Sequence, residues 1–198
     1  MLFLLSGPSG VGKGTVRKAL FDNNNLNLKY SISATTRQQR VGEVDGVDYF
    51  FIPKTEFENL VEEKRMLEYA EYADNYYGTP KDWIDQTLEE GDDVFMEIEV
   101  QGAMQVRELI NDAIFIFLTP PDLQTLKNRL ELRGTETSSV IDKRLAESKR
   151  EIDMMSEYDY VVVNDKVDLA VDRIEQIINV HRMNSKRVAE EYKKLLED

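Results

Sequence analysis

The chain has 198 residues, no cysteine and a formal net charge of −13 at pH 7. The missing cysteines exclude disulfides and thiolate metal sites, and the acidic excess speaks against a nucleic-acid surface, which needs broad positive patches. No apolar run reaches membrane-spanning length and the start lacks the basic region of a signal peptide, so the expected setting is cytoplasmic, with no membrane contact.

Leu2-Phe3-Leu4-Leu5 is a short apolar run that predicts a buried strand. Ser6-Gly7-Pro8-Ser9-Gly10-Val11-Gly12-Lys13-Gly14-Thr15 follows directly. Val16, Leu20 and Phe21 then recur at helical spacing, with Arg17 and Lys18 on the other face. Strand, glycine loop and helix form the context of a phosphate-binding loop, and Gly7-x-x-x-x-Gly12-Lys13 has its spacing. Glycines let successive N–H groups turn inward to form an anion nest. The helix start adds partial positive charge and Lys13 a full one. The residue after the lysine is Gly14, so a direct hydroxyl ligand for magnesium is missing at the usual place and comes one later, at Thr15. Magnesium could instead be held by nucleotide phosphates, water and carboxylates.

Leu28–Ile32 alternates like a strand. Residues 33–43 form a loop rich in hydroxyls with Arg37 and Arg40. Those guanidinium groups either converge on one phosphate or belong to a solvated basic loop. Asp45-Gly46 predicts a hairpin leading into Asp48–Ile52 as a strand. The acidic spacing Glu43, Asp45, Asp48 does not fit a calcium loop and is read as turn chemistry. Thr55-Glu56-Phe57-Glu58 predicts a capping box opening a helix to about Lys64. In the alternating run from Met66 to Tyr72, Glu68 shares a face with Met66 and Ala70, and a carboxylate among apolar neighbours calls for a partner. Thr79-Pro80 predicts an N-cap and first helical position, with the helix ending at Gly91.

Val94–Val100 predicts a strand ending in Glu97 and Glu99, two carboxylates on one face. A helix over about 101–110 follows, then Ala113–Leu118 as a strand buried on both faces. Arg129, Arg133 and Arg144 flank a polar stretch, residues 134–139, between two predicted helices. Such an arrangement suits a lid, although surface ion pairs explain those arginines as well. Tyr160–Val163 is the last predicted strand, with Asn164 at its polar end. Residues 167–196 show one continuous helical pattern. The only histidine, His181, reads as a packed or surface helix residue without chemistry, and Trp83 and Met154-Met155 read as packing.

Strands alternating with helices predict an α/β core with a mostly parallel sheet flanked by helices. Two regions break the alternation, about 33–79 and about 126–157.

Taken in order, several motifs give the chain its resemblance to guanylate kinases, which phosphorylate GMP with ATP. They are Gly7-Pro8-Ser9-Gly10-Val11-Gly12-Lys13, the long run from Ser33 through Arg37, Arg40, Gly42-Glu43 and Asp45-Gly46 to Asp48-Tyr49, then Glu68-Tyr69-Ala70. Asn75-Tyr76-Tyr77-Gly78-Thr79, Glu97-Ile98-Glu99-Val100-Gln101-Gly102 and Arg133-Gly134-Thr135-Glu136 complete the set. The resemblance implies a P-loop kinase core over about 1–32, 80–125 and 158–198, a mixed-strand GMP-binding insertion over about 33–79 and a helical lid over about 126–157. It implies ATP binding by Gly7, Pro8, Ser9, Gly10, Val11, Gly12, Lys13, Gly14 and Thr15, with Asn164 near the adenine. Arg37, Arg40, Tyr49 and Tyr77 would hold the GMP phosphate, and Ser33, Glu68 and Thr79 would read the guanine, with Glu97 beside them. Lys13, Arg129, Arg133 and Arg144 would serve the transferring group. Mg2+ would be held mainly by nucleotide phosphates and water, with Thr15 and Glu99 as protein candidates. The implied partners are ATP and GMP, with no nucleic acid and no membrane; a homo-oligomer is compatible. The alternative is a catalytically inactive interaction module of the same fold. Such modules are expected to lose parts of the phosphate loop or the nucleotide-reading residues, and here Lys13, the glycines, both loop arginines and Glu68 are present.

Overall fold

The computed structural model describes residues 1–23, 25–72, 74–132 and 138–197. In chain order its first elements are β1 (Leu2–Ser6), α1 (Lys13–Asn23), β2 (Lys29–Tyr30), β3 (Ala34–Thr35), β4 (Phe50–Phe51) and α2 (Lys54–Glu62). Next come β5 (Met66–Tyr72), β6 (Asn75–Pro80), α3 (Lys81–Glu89), β7 (Val94–Glu97), α4 (Val100–Leu109) and β8 (Ile114–Thr119). The last are α5 (Leu123–Leu132), α6 (Ser138–Asp153) with a 3₁₀ turn at Met154–Glu157, β9 (Tyr160–Val163), α7 (Val167–Arg182) and α8 (Ser185–Glu197).

Five strands make a sheet in the order β2-β7-β1-β8-β9, parallel at every pairing. Alternation along β1 sends Leu2 and Leu4 to one face and Phe3 and Leu5 to the other. The first pair packs with Ile84 of α3 and Ala103 and Val106 of α4. The second packs with Val16 and Leu20 of α1 and with Ala170, Ile174 and Ile178 of α7. Both faces are thus covered by helices, the condition under which parallel strands read as continuous apolar runs. The expected α/β core is what the chain forms.

A second sheet has the order β4-β3-β6-β5 and is mixed, β3 pairing parallel with β4 and antiparallel with β6. Its small core joins Ala34, Phe57 and Met66. Gln105 of α4 ties the edge strand β5 to the first layer, accepting from the Tyr69 N–H at 3.1 Å and donating to its carbonyl at 2.9 Å.

Several local expectations are corrected. Asp45-Gly46 is a turn but does not close a hairpin, because β4 pairs parallel with β3. The acidic residues around it do act as turn acceptors, Asp48 for the Val44 N–H at 2.8 Å and Asp45 for the Phe51 N–H at 2.9 Å. Helix α2 starts at Lys54 behind Pro53, whose carbonyl takes the Phe57 N–H at 3.0 Å, and no capping box forms. Thr79 remains in β6, and Pro80 is the cap of α3. A bulge between Met66 and Glu68 breaks the alternation, so Met66, Leu67 and Glu68 are all buried. The C-terminal helical pattern is two helices, because the Asn184 side chain accepts the Lys186 N–H at 3.0 Å and caps the second. Trp83 is exposed rather than packed. Of the two readings of His181, it is the packed one, 3.0 Å from the Tyr160 hydroxyl and edge-on to Phe3.

Asp93, 5% exposed, precedes β7 and gathers charge from distant parts of the chain. It accepts from the Met1 amino group at 2.7 Å, Arg182 at 2.7 Å and Arg187 at 3.1 Å. Burial alone would raise its pKa; the amino group and the two arginines hold it below the ordinary value. Asp93→Ala strands cations against the sheet and is expected to cost about 2 kcal/mol, allowing for the partial exposure of both arginines. Because the native pKa is depressed, this contribution is present above the ordinary aspartate pKa of 3.8 and is lost as pH falls below it. Urea unfolding of both proteins at pH 7 and pH 3 checks this: their midpoints should differ most at pH 7 and draw closer at pH 3.

Candidate active site

The site begins where β1 runs out of hydrogen-bonding partners. Gly7 turns at φ 151° with its α-carbon against the Leu118 carbonyl, an approach that leaves no room for a side chain. Gly12 turns at φ 101° against the Asn164 amide. The Val11 N–H closes on Pro8 at 3.1 Å, and α1 then begins at Lys13. The Lys13 ammonium is buried. It donates to the Gly7 carbonyl at 2.7 Å and to Glu99 at 3.1 Å, so the loop wraps around its own lysine and is tied to the end of β7. Thr15 is exposed on the first turn of α1, outside the cleft.

Asn164, at the end of β9, is 3% exposed and donates to the Val11 carbonyl at 2.8 Å. Its Oδ1 is buried without a partner among the described residues. Arg129 also meets this loop, donating to the carbonyls of Val11 at 3.0 Å and Asn164 at 2.8 Å. Its guanidinium braces the loop and does not line the cleft between the two sheets. Arg144 is half-buried on α6, and Arg133 lies outside the described residues.

The cleft beside the loop encloses about 310 Å³ and lies between the two sheets. Lys13, Gly14, Glu97 and Glu99 line one side, and Ser33, Glu68, Tyr49 and Tyr77 the other. Glu68 is 6% exposed and accepts from Thr79 Oγ1 at 2.6 Å, while Thr79 Oγ1 is 3.3 Å from Ser33 Oγ. Burial pushes the Glu68 carboxyl up to about 7; the Thr79 hydrogen bond opposes this and the nearby Glu99 adds to it. Its other oxygen rests on Gly102, where a β-carbon would collide with it. The bulge in β5 is what turns Glu68 inward.

Arg37 forms a fork with Glu43, at 3.0 and 2.8 Å, under the rings of Tyr49 and Phe51, each 5.6 Å from its guanidinium carbon. Glu43 also accepts the Arg40 backbone N–H at 2.8 Å, while the Arg40 side chain is exposed. The Tyr49 and Tyr77 rings stand edge to face at 6.0 Å.

Glu97 is paired with Arg17 at 3.0 Å. Burial raises its pKa, and Arg17 and Lys13 counter the rise. Sequence reasoning puts Arg17 on the outer face of α1; it faces the cleft, and its place four residues after Lys13, hence on the same helical face, is the available signal. Tyr30, Glu43 and Gly102 are also cleft residues to which sequence reasoning assigns no role in the site. Glu43 and Gly102 lie within the motifs quoted above, whereas Tyr30 carries no such clue.

A loop that presents N–H groups and a lysine to phosphate, facing a buried carboxylate with a hydroxyl pair, can hold two nucleotides end to end. Comparison with known proteins agrees. The family model described as guanylate kinase matches residues 1–181. The guanylate kinase of Oceanobacillus iheyensis is 58% identical over 198 residues, covering 100% of this chain and 96% of that protein. That of Bacillus subtilis is 55% identical over 197 residues, covering 100% and 97%. Among solved structures, guanylate kinase from Anaplasma phagocytophilum matches with a TM-score of 0.76 at 30% identity, over 94% of this chain and 88% of that one. With its phosphate loop and its carboxylate-lined cleft in place, this chain belongs to the guanylate kinase family.

Proposed function

We propose that the protein transfers the terminal phosphoryl group of ATP to GMP, giving ADP and GDP. The observation that carries this reading is Glu68, a buried carboxylate aimed into the same cleft as Lys13. Guanine presents two adjacent N–H donors, at N1 and the 2-amino group, which a carboxylate accepts together; adenine has an acceptor at N1 and no 2-amino group and cannot make that paired contact. Sites of this kind discriminate by roughly 10⁴ in favourable cases. An inactive interaction module is the weaker reading, because nothing in the cleft has been stripped of its chemistry.

In this reading Ser33, Thr79 and Glu68 take the guanine, with Glu97 beside them, and Arg37, Arg40, Tyr49 and Tyr77 take its phosphate. Residues Gly7 to Thr15 cradle ATP, with Asn164 at its adenine, and Lys13 neutralises the outer phosphates. Arg133 and Arg144 approach the transferring group from the lid, and Arg129 supports them by bracing the loop. The transfer needs little covalent help; it needs alignment, charge neutralisation and exclusion of water.

Carboxylate oxygens suit Mg2+, and two such groups, Glu97 and Glu99, border Lys13 and the gap over Gly14. Glu99 with nucleotide phosphates and water would hold the ion, which supplies charge neutralisation when bound. Thr15, exposed and away from the cleft, is the weaker candidate. The chain divides in this reading into a core of about 1–32, 80–125 and 158–198, a GMP-binding insertion of about 33–79 and a lid of about 126–157 that closes on both substrates. A cytoplasmic enzyme without nucleic-acid or membrane partners is the setting proposed, and a homo-oligomer is compatible with it. No helix among the described residues is long and apolar enough to cross a membrane.

The direct test is ADP release from ATP and magnesium with GMP, AMP, UMP, dTMP or no acceptor. Release is expected to depend on GMP; release with no acceptor, or none at all from folded protein, would defeat the reading. In the same assay Arg37→Ala is expected to raise KM for GMP by roughly tenfold or more, as loss of a charge-assisted contact does. Lys13→Ala is expected to act mainly on kcat.

Glu68 also predicts a pH dependence. The free carboxyl sits at about 7, and guanine binds its ionised form, so binding must expel the proton below that pH. GMP affinity should therefore rise as pH is raised from 6 to 8, by at most about tenfold per unit for one proton. Glu68→Gln should weaken GMP on the order of 100-fold and remove this component. Calorimetric titration of both proteins across that range separates it from the phosphate's own ionisation.

A further inference from the structure

Arg17 is held more firmly than a surface arginine. Its Nε donates to Glu97 Oε2 at 3.0 Å, and its guanidinium carbon lies 4.5 Å from the centre of the Tyr30 ring. Tyr30 is itself set edge-on against Phe21 at 5.6 Å. A carboxylate at the edge and an aromatic ring on the face together fix the plane of a guanidinium. The ion pair is sheltered, the two side chains being 28% and 19% exposed.

The consequence falls on Glu97. One of its oxygens belongs to Arg17. The other, Oε1, takes no hydrogen bond from the described residues and stands over Gly14, 3.6 Å from the point where a β-carbon would be. The Lys13 ammonium donates to Gly7 and Glu99 and acts on Glu97 through charge, without a hydrogen bond to it among the described residues. Glu97 also has Glu99 close by, so without Arg17 it would lose both its orientation and its nearest counter-charge.

We propose that Arg17 is a positioning residue for the acceptor nucleotide, holding one oxygen of Glu97 so that the other is presented to a hydrogen-bond donor of GMP. This rests on the reading of the cleft as the GMP site. Arg17 does not touch the reacting atoms, and its effect on GMP passes through Glu97.

A double-mutant cycle isolates that path. GMP dissociation constants are measured by calorimetry for the wild type, Arg17→Met, Glu97→Gln and the double variant, with KM for ATP alongside. Arg17→Met is expected to weaken GMP by roughly tenfold, the scale of a sheltered charge-assisted hydrogen bond. In the Glu97→Gln background the same change should add less than about twofold. Arg17→Lys should recover part of the loss, and KM for ATP should stay within about twofold throughout. Unchanged GMP binding in Arg17→Met overturns the proposal. So do effects that simply add, or an equal loss of ATP. If Arg17→Met fails to fold, Arg17→Lys and Glu97→Gln decide it, since full additivity between them overturns the proposal in the same way. A wild type that binds ATP but not GMP overturns the acceptor-site reading itself, a different result from additivity in a protein that binds GMP.

Discussion

A buried ammonium is the constraint around which the site is built. Lys13 is 8% exposed, and a charge so placed is tolerable only with acceptors at hand. One acceptor is the carbonyl of Gly7, which can be reached only if the loop curls back over its own lysine. The other is Glu99, which can be reached only if β7 lies beside β1 in the observed register, Leu5 opposite Glu97. The same contacts that satisfy the charge set the curvature of the loop, the start of α1 and the position of the carboxylate strand. An incoming phosphate then meets a lysine already aimed, and the lysine exchanges an internal partner for an external one at little cost in reorganisation.

The other half of the cleft depends on a departure from regularity. A regular strand would send Leu67 and Glu68 to opposite faces, and one of them would be solvated. The bulge turns both inward, Leu67 into the apolar layer beneath α3 and α4 and Glu68 into the cleft. Gly102 gives way on one side and Thr79 donates on the other, so the carboxyl has one satisfied oxygen and one open direction. Holding it there is unfavourable for the ionised form, as its pKa near 7 records. In the proposed reading a guanine edge would relieve that cost, and the discrimination would come from the desolvation being present before the base arrives.

What could be seen in the sequence divides along the range of the signals. The phosphate loop, the apolar strands and the long run from Ser33 to Tyr49 are local patterns, written within a few residues of one another. Pairing partners are not local. Asp45-Gly46 looks like a hairpin in every local respect, and only the parallel seat of β4 beside β3 makes it something else. Thr79 before Pro80 has the chemistry of a cap, but its hydroxyl is drawn to Glu68 across the sheet. The helical pattern assigns Arg17 to the outer face because Val16 and Leu20 mark the inner one. A helix at the rim of a cleft has a third face, and what lies there depends on Glu97, eighty residues away.

The charge balance of the cleft explains why so many separate pieces are needed. Its lining includes Glu43, Asp48, Glu68, Glu97 and Glu99, against the cations Lys13 and Arg17. Lys13 is already satisfied by Glu99, Arg17 by Glu97 and, at the rim, Arg37 by Glu43. Among the described residues, every cation that lines the cleft is thus already paired with a carboxylate. In the reading proposed above, neutralisation would be brought in by a metal ion on the donor nucleotide, by the lid arginines, and by ion pairs that give up a carboxylate for a phosphate. Transfer to water would require the same neutralisation but arrive with neither a guanine to fill the Glu68 pocket nor an acceptor phosphate to recruit Arg37. On that reading, internal pairing of the cations would work as restraint: the charge that speeds transfer would be assembled only when both nucleotides are in place.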